Sequence, residues 1–173
     1  YDADHKADLA AAKWSDDANS PAKDVRAAQE AIRETVGVNP NTLVLSAKAF
    51  AAVRENAKIL DRFRFTSSDS ITTAMLAAML DLERVEVGKA VVSNDAGTLS
   101  DVWGVDAVLA YVPTTPSSQE EPSYGYTYAM DGHPLTEEAY WDNSSKSWIY
   151  PVTYERVPVL SGISSGFLFQ NVA

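Results

Sequence analysis

The stretch Gly37–Phe50, GVNPNTLVLSAKAF, carries the reading of the fold. Gly37 accepts φ > 0 and suits the position just past a helix C-terminus. Pro40 cannot continue a helix and pushes Asn39 toward extended geometry. Asn39 and Asn41 can bond their own backbone in turns. Thr42-Leu43-Val44-Leu45 then reads as a short buried strand, and Ser46 as the N-cap of the next helix. The segment predicts helix, tight turn, buried strand, helix.

Upstream, Ser20–Gly37 (SPAKDVRAAQEAIRETVG) is the clearest helix. Ser20 can cap it, Pro21 fits the first helical position, and Val25, Ala28, Ile32 and Val36 form one apolar stripe. Residues 1–20 read as a polar, partly mobile lead-in, with Trp14 as its anchor and His5 in the mobile end. Downstream of Ser46 a second helix is expected, with Phe50, Val53, Ala57 and Leu60 on one side. A third is expected after Ser68 or Asp69, with the stripe Ile71, Met75, Ala78, Met79 and Leu82. Its Met pair reads as core filler.

After Leu82 the character changes to strands. RVEVGKAVVSNDAGTLSDVWG (84–104) predicts two strands, a Gly turn and a loop around Asn94-Asp95. DAVLAYVP (106–113) predicts a buried strand with a Pro stop, and Thr114–Ser123 a polar loop. YGYTYAMDG (124–132) alternates and is expected to place Tyr124, Tyr126 and Tyr128 on one face. KSWIYPVTYERVPVL (146–160) reads as a strand interrupted at Pro151 and Pro158, which suits an edge. GFLFQNVA (166–173) reads as a final strand. Helices come early and strands late, without βαβ alternation, so the class is α+β. Residues 21–173 are expected to form a single α+β domain.

Composition narrows the function. A chain of 173 residues with 46% hydrophobic content can bury a sizeable core. It has no cysteine, which removes disulfides, thiolate metal sites and cysteine nucleophiles. No apolar run is long enough to span a membrane. The start YDADHKADLAAAKW has acids where a signal peptide has a basic segment, and no initiator Met, so a mature product or a fragment is expected. Net charge is −10, and no Lys or Arg occurs from Ala90 to Ser145. Such a segment repels phosphate backbones, so direct nucleic-acid binding through it is not expected.

Motifs for chemistry are few. Gly162–Gly166 (GISSG) matches the Gly-x-Ser-x-Gly pattern, but no Asp, His or helix follows it, and the reading is a loop before a strand. Asp131, His133, Glu137 and Glu138 could together hold a divalent cation, though nothing fixes their directions. The pairs Asp16-Asp17 and Glu120-Glu121 point apart on extended chain and do not make an acid/base pair. VGKAV (87–91) lacks the spacing of a phosphate-binding loop. Asn143-Ser144-Ser145 fits a glycosylation sequon. The Tyr cluster could form a carbohydrate or base platform, although aromatic sheet faces are more often core or subunit interface. No catalytic, cofactor-binding or metal residues are assigned, no cofactor is expected, and an enzymatic role is not expected.

A wider pattern is carried by many matches in fixed order. Trp14 is followed by a polar stretch with Pro21, then VRAAQEAI, then GVNPNTLVLS and a helix ending in REN. Later come ITTAMLAAMLDLERVEVGKAVVSN, VWGVDAVLAYVP, PSYGYTYAM and a terminal GFLFQNV. In this order the chain resembles tailed-bacteriophage major capsid (coat) proteins from about Trp14 to Val172. The resemblance implies the fold shared by tailed-phage and herpesvirus shells, with an axial domain facing the centre of each hexamer or pentamer. It implies an axial-domain-like mixed sheet with flanking helices and strands returning to the periphery. The N-terminal arm, extended loop and long helix of such proteins have no room before Trp14, so the chain is expected to be a fragment. The partners it implies are other copies of itself in hexamer and pentamer capsomers of a head enclosing DNA. Scaffold or portal proteins are further candidates, with no specific nucleic-acid contact and no membrane. The implied location is the virion capsid, and the bacterial host cytoplasm during assembly. Thr114–Ser123 and Asp131–Glu138 are candidates for ring-centre or inter-subunit contacts.

Two rival readings make different predictions. A monomeric binding module would expose the Tyr-rich face and take a saturable ligand. A carboxylate-based hydrolase would converge two carboxyls of the acidic half across a cleft, one with a raised pKa.

Overall fold

The computed structural model describes residues 4–64, 70–115 and 122–173. Its elements run β1 (Lys6–Asp8), α1 (Pro21–Val36), β2 (Thr42–Ser46), α2 (Ala47–Glu55), α3 (Ala57–Phe63) and α4 (Thr73–Leu80). Strands follow: β3 (Arg84–Gly88), β4 (Val91–Ser93), β5 (Leu99–Asp101), β6 (Ala107–Ala110), β7 (Gly125–Ala129), β8 (Leu135–Thr136) and β9 (Tyr140–Asp142). The last are β10 (Ser147–Ile149), β11 (Val152–Thr153), β12 (Arg156–Leu160) and β13 (Gly166–Gln170). The class is α+β. Contacts gather into two compact units, one of residues 1–124 with 162–173, the other Gly125–Ser161.

The first unit holds a five-stranded mixed sheet of order β1-β13-β6-β2-β3. The two outer pairings are parallel and the two inner ones antiparallel. Side chains two apart on a strand share a face, and the register lines them up across the sheet. Phe167, Leu109, Leu43 and Val85 form one row, and Phe169, Ala107, Leu45 and Val87 the next. All but the half-buried Val87 are buried in the core, with Val25, Ala28 and Ile32 of α1 in the same cluster. Each such large aliphatic side chain contributes about 1.5–3 kcal/mol through apolar area removed from water.

The Asn-Pro-Asn turn works through its last residue. Gly37 ends α1 at φ 78°, where its N–H donates to Arg33 O, a left-handed C-cap that glycine adopts without steric cost. Asn41 is buried and binds in four directions. Its Nδ2 donates to Val112 O at 2.8 Å and to Glu83 Oε2 at 3.1 Å. Its Oδ1 accepts from Val112 N at 3.0 Å and from Thr42 Oγ1 at 3.1 Å. The turn therefore starts β2 and ties the chain after β6 to the chain before β3.

Other expectations are refined. Ser20 occupies the N-cap of α1, but its side chain makes no capping bond. Ser46 does cap α2, its Oγ accepting from Ala49 N. The helix after Ser46 is two helices, because Asn56 leaves helical geometry at ψ 126° and starts α3 by accepting from Lys58 N. As a result Leu60 is exposed and Ile59 is buried. Ser68 and Asp69, after one of which the third helix is expected to start, both lie outside the described residues. α4 has Thr72 as N-cap and buries Leu76, Ala77 and Leu80, while Ala78 is exposed and Met75 and Met79 are half-buried. A helix apolar nearly all round does not reveal from its own pattern which side faces the core.

In the first twenty residues Trp14 is buried, its Nε1 donating to Asp24 Oδ2 at 2.9 Å and its ring 5.2 Å from that of Phe169. β1 joins the sheet beside β13, and His5 is buried, its Nε2 3.0 Å from Thr35 Oγ1.

The second unit is one folded-back ribbon. β7 pairs with β12, β8 with β11 and β9 with β10, all antiparallel and nested. The stretch expected as one interrupted strand is three short ones. Pro158 sits within β12 opposite Thr127, which a two-stranded ribbon with open edges tolerates.

Candidate functional site

The candidate residues for chemistry are used within the fold. In GISSG, residues Ile163–Ser165 form a 3-10 turn that runs directly into β13. Ser165 is buried and its Oγ donates to Gly162 O at 2.7 Å. Asp16 Oδ1 accepts from Ala18 N, and Asp17 Oδ1 accepts from Ala57 N at 2.8 Å, at the first turn of α3. Both carboxylates serve local turns and helix ends. Glu120 and Glu121 lie outside the described residues.

In the second unit His133 Nδ1 accepts from Glu155 N at 3.2 Å. Asp131 Oδ1 accepts from Gly132 N, and Glu137 Oε1 accepts from Thr153 Oγ1. Glu138 is exposed. Among the described residues no three His, Asp or Glu side chains are grouped to hold a metal ion. Among them also, no helix is long and apolar enough to cross a membrane. The sequon Asn143-Ser144-Ser145 occupies the β9–β10 turn, where Asn143 Oδ1 accepts from Trp141 Nε1 at 2.8 Å. Thr114 donates its hydroxyl to Glu83 Oε2, and residues 116–121 of that loop lie outside the described set.

The three tyrosines do not form one face. Tyr126 and Tyr128 do, with ring centroids 6.1 Å apart on β7. Tyr124 belongs to the first unit, where its ring lies so close over Gly166 that a Cβ there would be 2.3 Å from Cε2.

What the geometry assembles instead is exposed apolar surface on hairpins. On the ribbon Tyr140, Trp141, Trp148, Tyr150 and Tyr154 are exposed, Tyr150 by 73%. Trp141 and Trp148 stand directly opposite across β9–β10 with ring centroids 5.8 Å apart, edge to face. The same holds for the β4–β5 hairpin, where Val91, Val92, Leu99 and Val102 are exposed. Asn94 Oδ1 shapes its turn by accepting from Ala96 N and Thr98 N. Lys48 Nζ lies 3.2 Å from Asp101 Oδ2, an ion pair between α2 and β5. Gly88 leaves room for Trp103, whose Cδ1 would lie 2.5 Å from a Cβ at that position.

Sequence reasoning found the tyrosines but not the tryptophan pair. The available signal was the spacing of Trp141 and Trp148 about the Asp-Asn-Ser-Ser turn, which makes them cross-strand partners once a hairpin is assumed. Monomeric proteins seldom leave contiguous apolar patches beyond a few hundred Å2 exposed, and larger ones mark interaction sites.

Three comparisons bear on what such surfaces serve. The chain is 29% identical over 164 residues to a major capsid protein of Burkholderia phage BcepMu, a match covering 92% of this chain and 53% of the relative. It superposes on the crystal structure of a phage-related protein from Bordetella bronchiseptica RB50 with a TM-score of 0.92 and 44% identity. That match covers 99% of this chain and 58% of the other. The chain thus spans about half the length of the curated relative it matches. The family model of phage major capsid protein E matches residues 1–122. On that match the chain belongs to the phage major capsid protein E family.

Proposed function

We propose that the chain is part of a coat subunit that self-associates into hexamers and pentamers of an icosahedral phage or prophage head enclosing DNA. Family membership supports a structural, non-enzymatic role in a capsid. The observation that carries the finer reading is the exposed aromatic surface of the Gly125–Ser161 ribbon. A two-stranded ribbon is marginal alone in water, and identical copies that close by symmetry would cover such surfaces. In this reading residues 21–173 are the axial-type part of the subunit, with scaffold or portal proteins as further partners. The subunit would act in the virion capsid after assembly in the bacterial host cytoplasm. Its acidic second half would not grip the packaged DNA.

The test is negative-stain electron microscopy of the full-length gene product co-expressed with its neighbouring phage genes. Closed shells or ring-shaped capsomers are expected. A uniformly monomeric product under every condition would overturn the reading and favour a monomeric module that takes a ligand on the aromatic ribbon.

A further inference from the structure

We infer that one face of the Gly125–Ser161 ribbon packs against the same face of a second copy about a two-fold axis. This rests on the coat-subunit reading and adds a contact that a ring of copies does not supply. Three observations support it.

The first is that these side chains share one face. Exposure alternates from Trp148 to Tyr154: Trp148, Tyr150, Val152 and Tyr154 are exposed, while Ile149, Pro151 and Thr153 are half-buried. Side chains two apart on extended chain lie on the same side. Trp141 stands directly opposite Trp148, with the ring centroids 5.8 Å apart, and so joins them. Arg156 lies over the Tyr154 ring at 5.4 Å and marks the far end. Tyr140, opposite Ile149, belongs to the reverse side.

The second is where the charges fall. Glu137, whose Oε1 accepts from Thr153 Oγ1, and Asp142, opposite Ser147, are both on the reverse side. The register shifts by one residue between the β8–β11 and β9–β10 ladders. Glu138 and Ala139 therefore stand together against Tyr150, and Glu138 is a carboxylate at the margin. The face is apolar along its middle, with a cation at one end and a tryptophan pair at the other. Among the described residues no carboxylate forms an ion pair with Arg156. Two such faces match when turned end for end. Centred on Val152, each Arg156 lies over the partner's Trp148, and each Tyr154 meets the partner's Tyr150. Indole is the best ring for a cation to cover. The two Glu138 side chains then stand about four residues, roughly 13 Å, apart along the strands, beyond the reach of an unscreened charge at physiological salt.

The third is area. Trp141, Trp148, Tyr150 and Tyr154 are 48–73% exposed. Each therefore offers about 100 Å2, and the four together roughly 400 Å2. Val152 and the stem of Arg156 raise this to about 500 Å2 per copy, or about 1,000 Å2 for the pair, the lower end for a specific contact. A contact of that size is weak between two free copies and effective when many are made at once by subunits already held in rings. A self-complementary contact joins copies in pairs and does not repeat around a ring. It therefore links a copy in one ring to a copy in the next.

The test uses the full-length subunit assembled into heads by co-expression. Residues 1–173 contain no cysteine, so Val152→Cys places a thiol at the proposed axis and Tyr140→Cys places one on the reverse side. Facing sheets lie about 10 Å apart, within reach of a short bismaleimide. Val152→Cys heads are expected to give cross-linked pairs of subunits and Tyr140→Cys heads few. In a second measurement, Tyr150→Glu is expected to lower the yield of closed heads roughly tenfold or more while leaving rings. Tyr140→Glu is expected to change it by less than about twofold. Circular dichroism checks that each variant is folded. The inference is overturned if heads form and Val152→Cys links copies no better than Tyr140→Cys, or links only to a different protein of the particle. It is equally overturned if folded Tyr150→Glu closes heads as well as Tyr140→Glu. If the unmutated subunit forms neither rings nor heads, the coat reading itself falls, and this inference with it.

Discussion

The side-chain amide of Asn56 donates to the main-chain carbonyl of Trp14 at 3.0 Å, joining the start of the chain to the break between α2 and α3. The same Nδ2 reaches Asp16 O at 3.2 Å and Asn19 O at 3.4 Å, while Oδ1 caps α3 through Lys58 N. Asn56 is buried, so water cannot replace these bonds. Asn56→Ala should cost about 2–3 kcal/mol, the loss of a cap plus carbonyls left unsatisfied. Asn56→Asp should cost nearly as much, because it keeps the cap acceptor but loses the donor. Urea denaturation of both variants checks this, and an Asn56→Asp protein as stable as the parent would show that the cap alone matters.

Asn41 makes the corresponding prediction at the Asn-Pro-Asn turn. Removing its amide leaves the buried ends of β2 and the chain after β6 short of partners. Asn41→Ala should destabilise by about 2–3 kcal/mol. Hydrogen exchange should report the loss, with the Val112 amide losing protection before those inside β2.

Trp14 tests whether the first twenty residues matter to the core. Its ring is fully buried against Phe169, so Trp14→Phe, which leaves a cavity and an unpaired Asp24 carboxylate, should cost about 1–3 kcal/mol. Equilibrium unfolding measures it, and an unchanged midpoint would contradict the packing described.

Trp141→Ala should behave in the opposite way. Both Trp141 and Trp148 are about half exposed, so the stability of the first unit should shift by less than about 0.5 kcal/mol. The exciton signal of the edge-to-face pair in circular dichroism should vanish, and assembly of the full-length subunit should weaken.

The β9–β10 turn should respond to acid. Asp142 accepts from the N–H of Ser144, then from the hydroxyl and N–H of Ser145, and these bonds hold its carboxyl below the ordinary value of 3.8. A carboxylate depressed in the folded state stabilises above the unfolded value, and this contribution is lost as pH falls through the folded value. The turn should therefore hold above the ordinary value of 3.8 and open progressively only as pH falls below it, through the lowered folded-state value. Following the Trp141–Trp148 signal against pH measures this, and Asp142→Asn should flatten the transition.

Much of the first unit was legible because its signals are local. Pro21, Gly37 and Pro40 fix where α1 begins and ends whatever surrounds them. The short apolar runs Leu43–Leu45 and Phe167–Phe169 mark strands by composition and flanking turn residues, and the sheet register shows which of their side chains face the core. The break at Asn56 was not legible, since an Asn tolerated in a helix and an Asn that caps one look alike until Trp14 and Asp16 supply carbonyls to bind. The candidate site was only partly legible. The tyrosine alternation pointed at the right segment, but the Trp141–Trp148 pair required knowing that β9 and β10 fold back on each other.

The sequence by itself determined the α+β class, the ends of α1, the buried β2, the presence of a last strand at β13, and the acidic, cation-free stretch from Ala90 to Ser145. These follow from backbone stereochemistry, side-chain period and charge, which each residue carries with it. Only the tertiary structure decided which side of α4 is buried, that Tyr124 covers Gly166 while Tyr126 and Tyr128 lie on the ribbon, and that the ribbon's aromatic rings stay exposed. Burial depends on what lies opposite a residue, and a period marks a face without saying what will cover it.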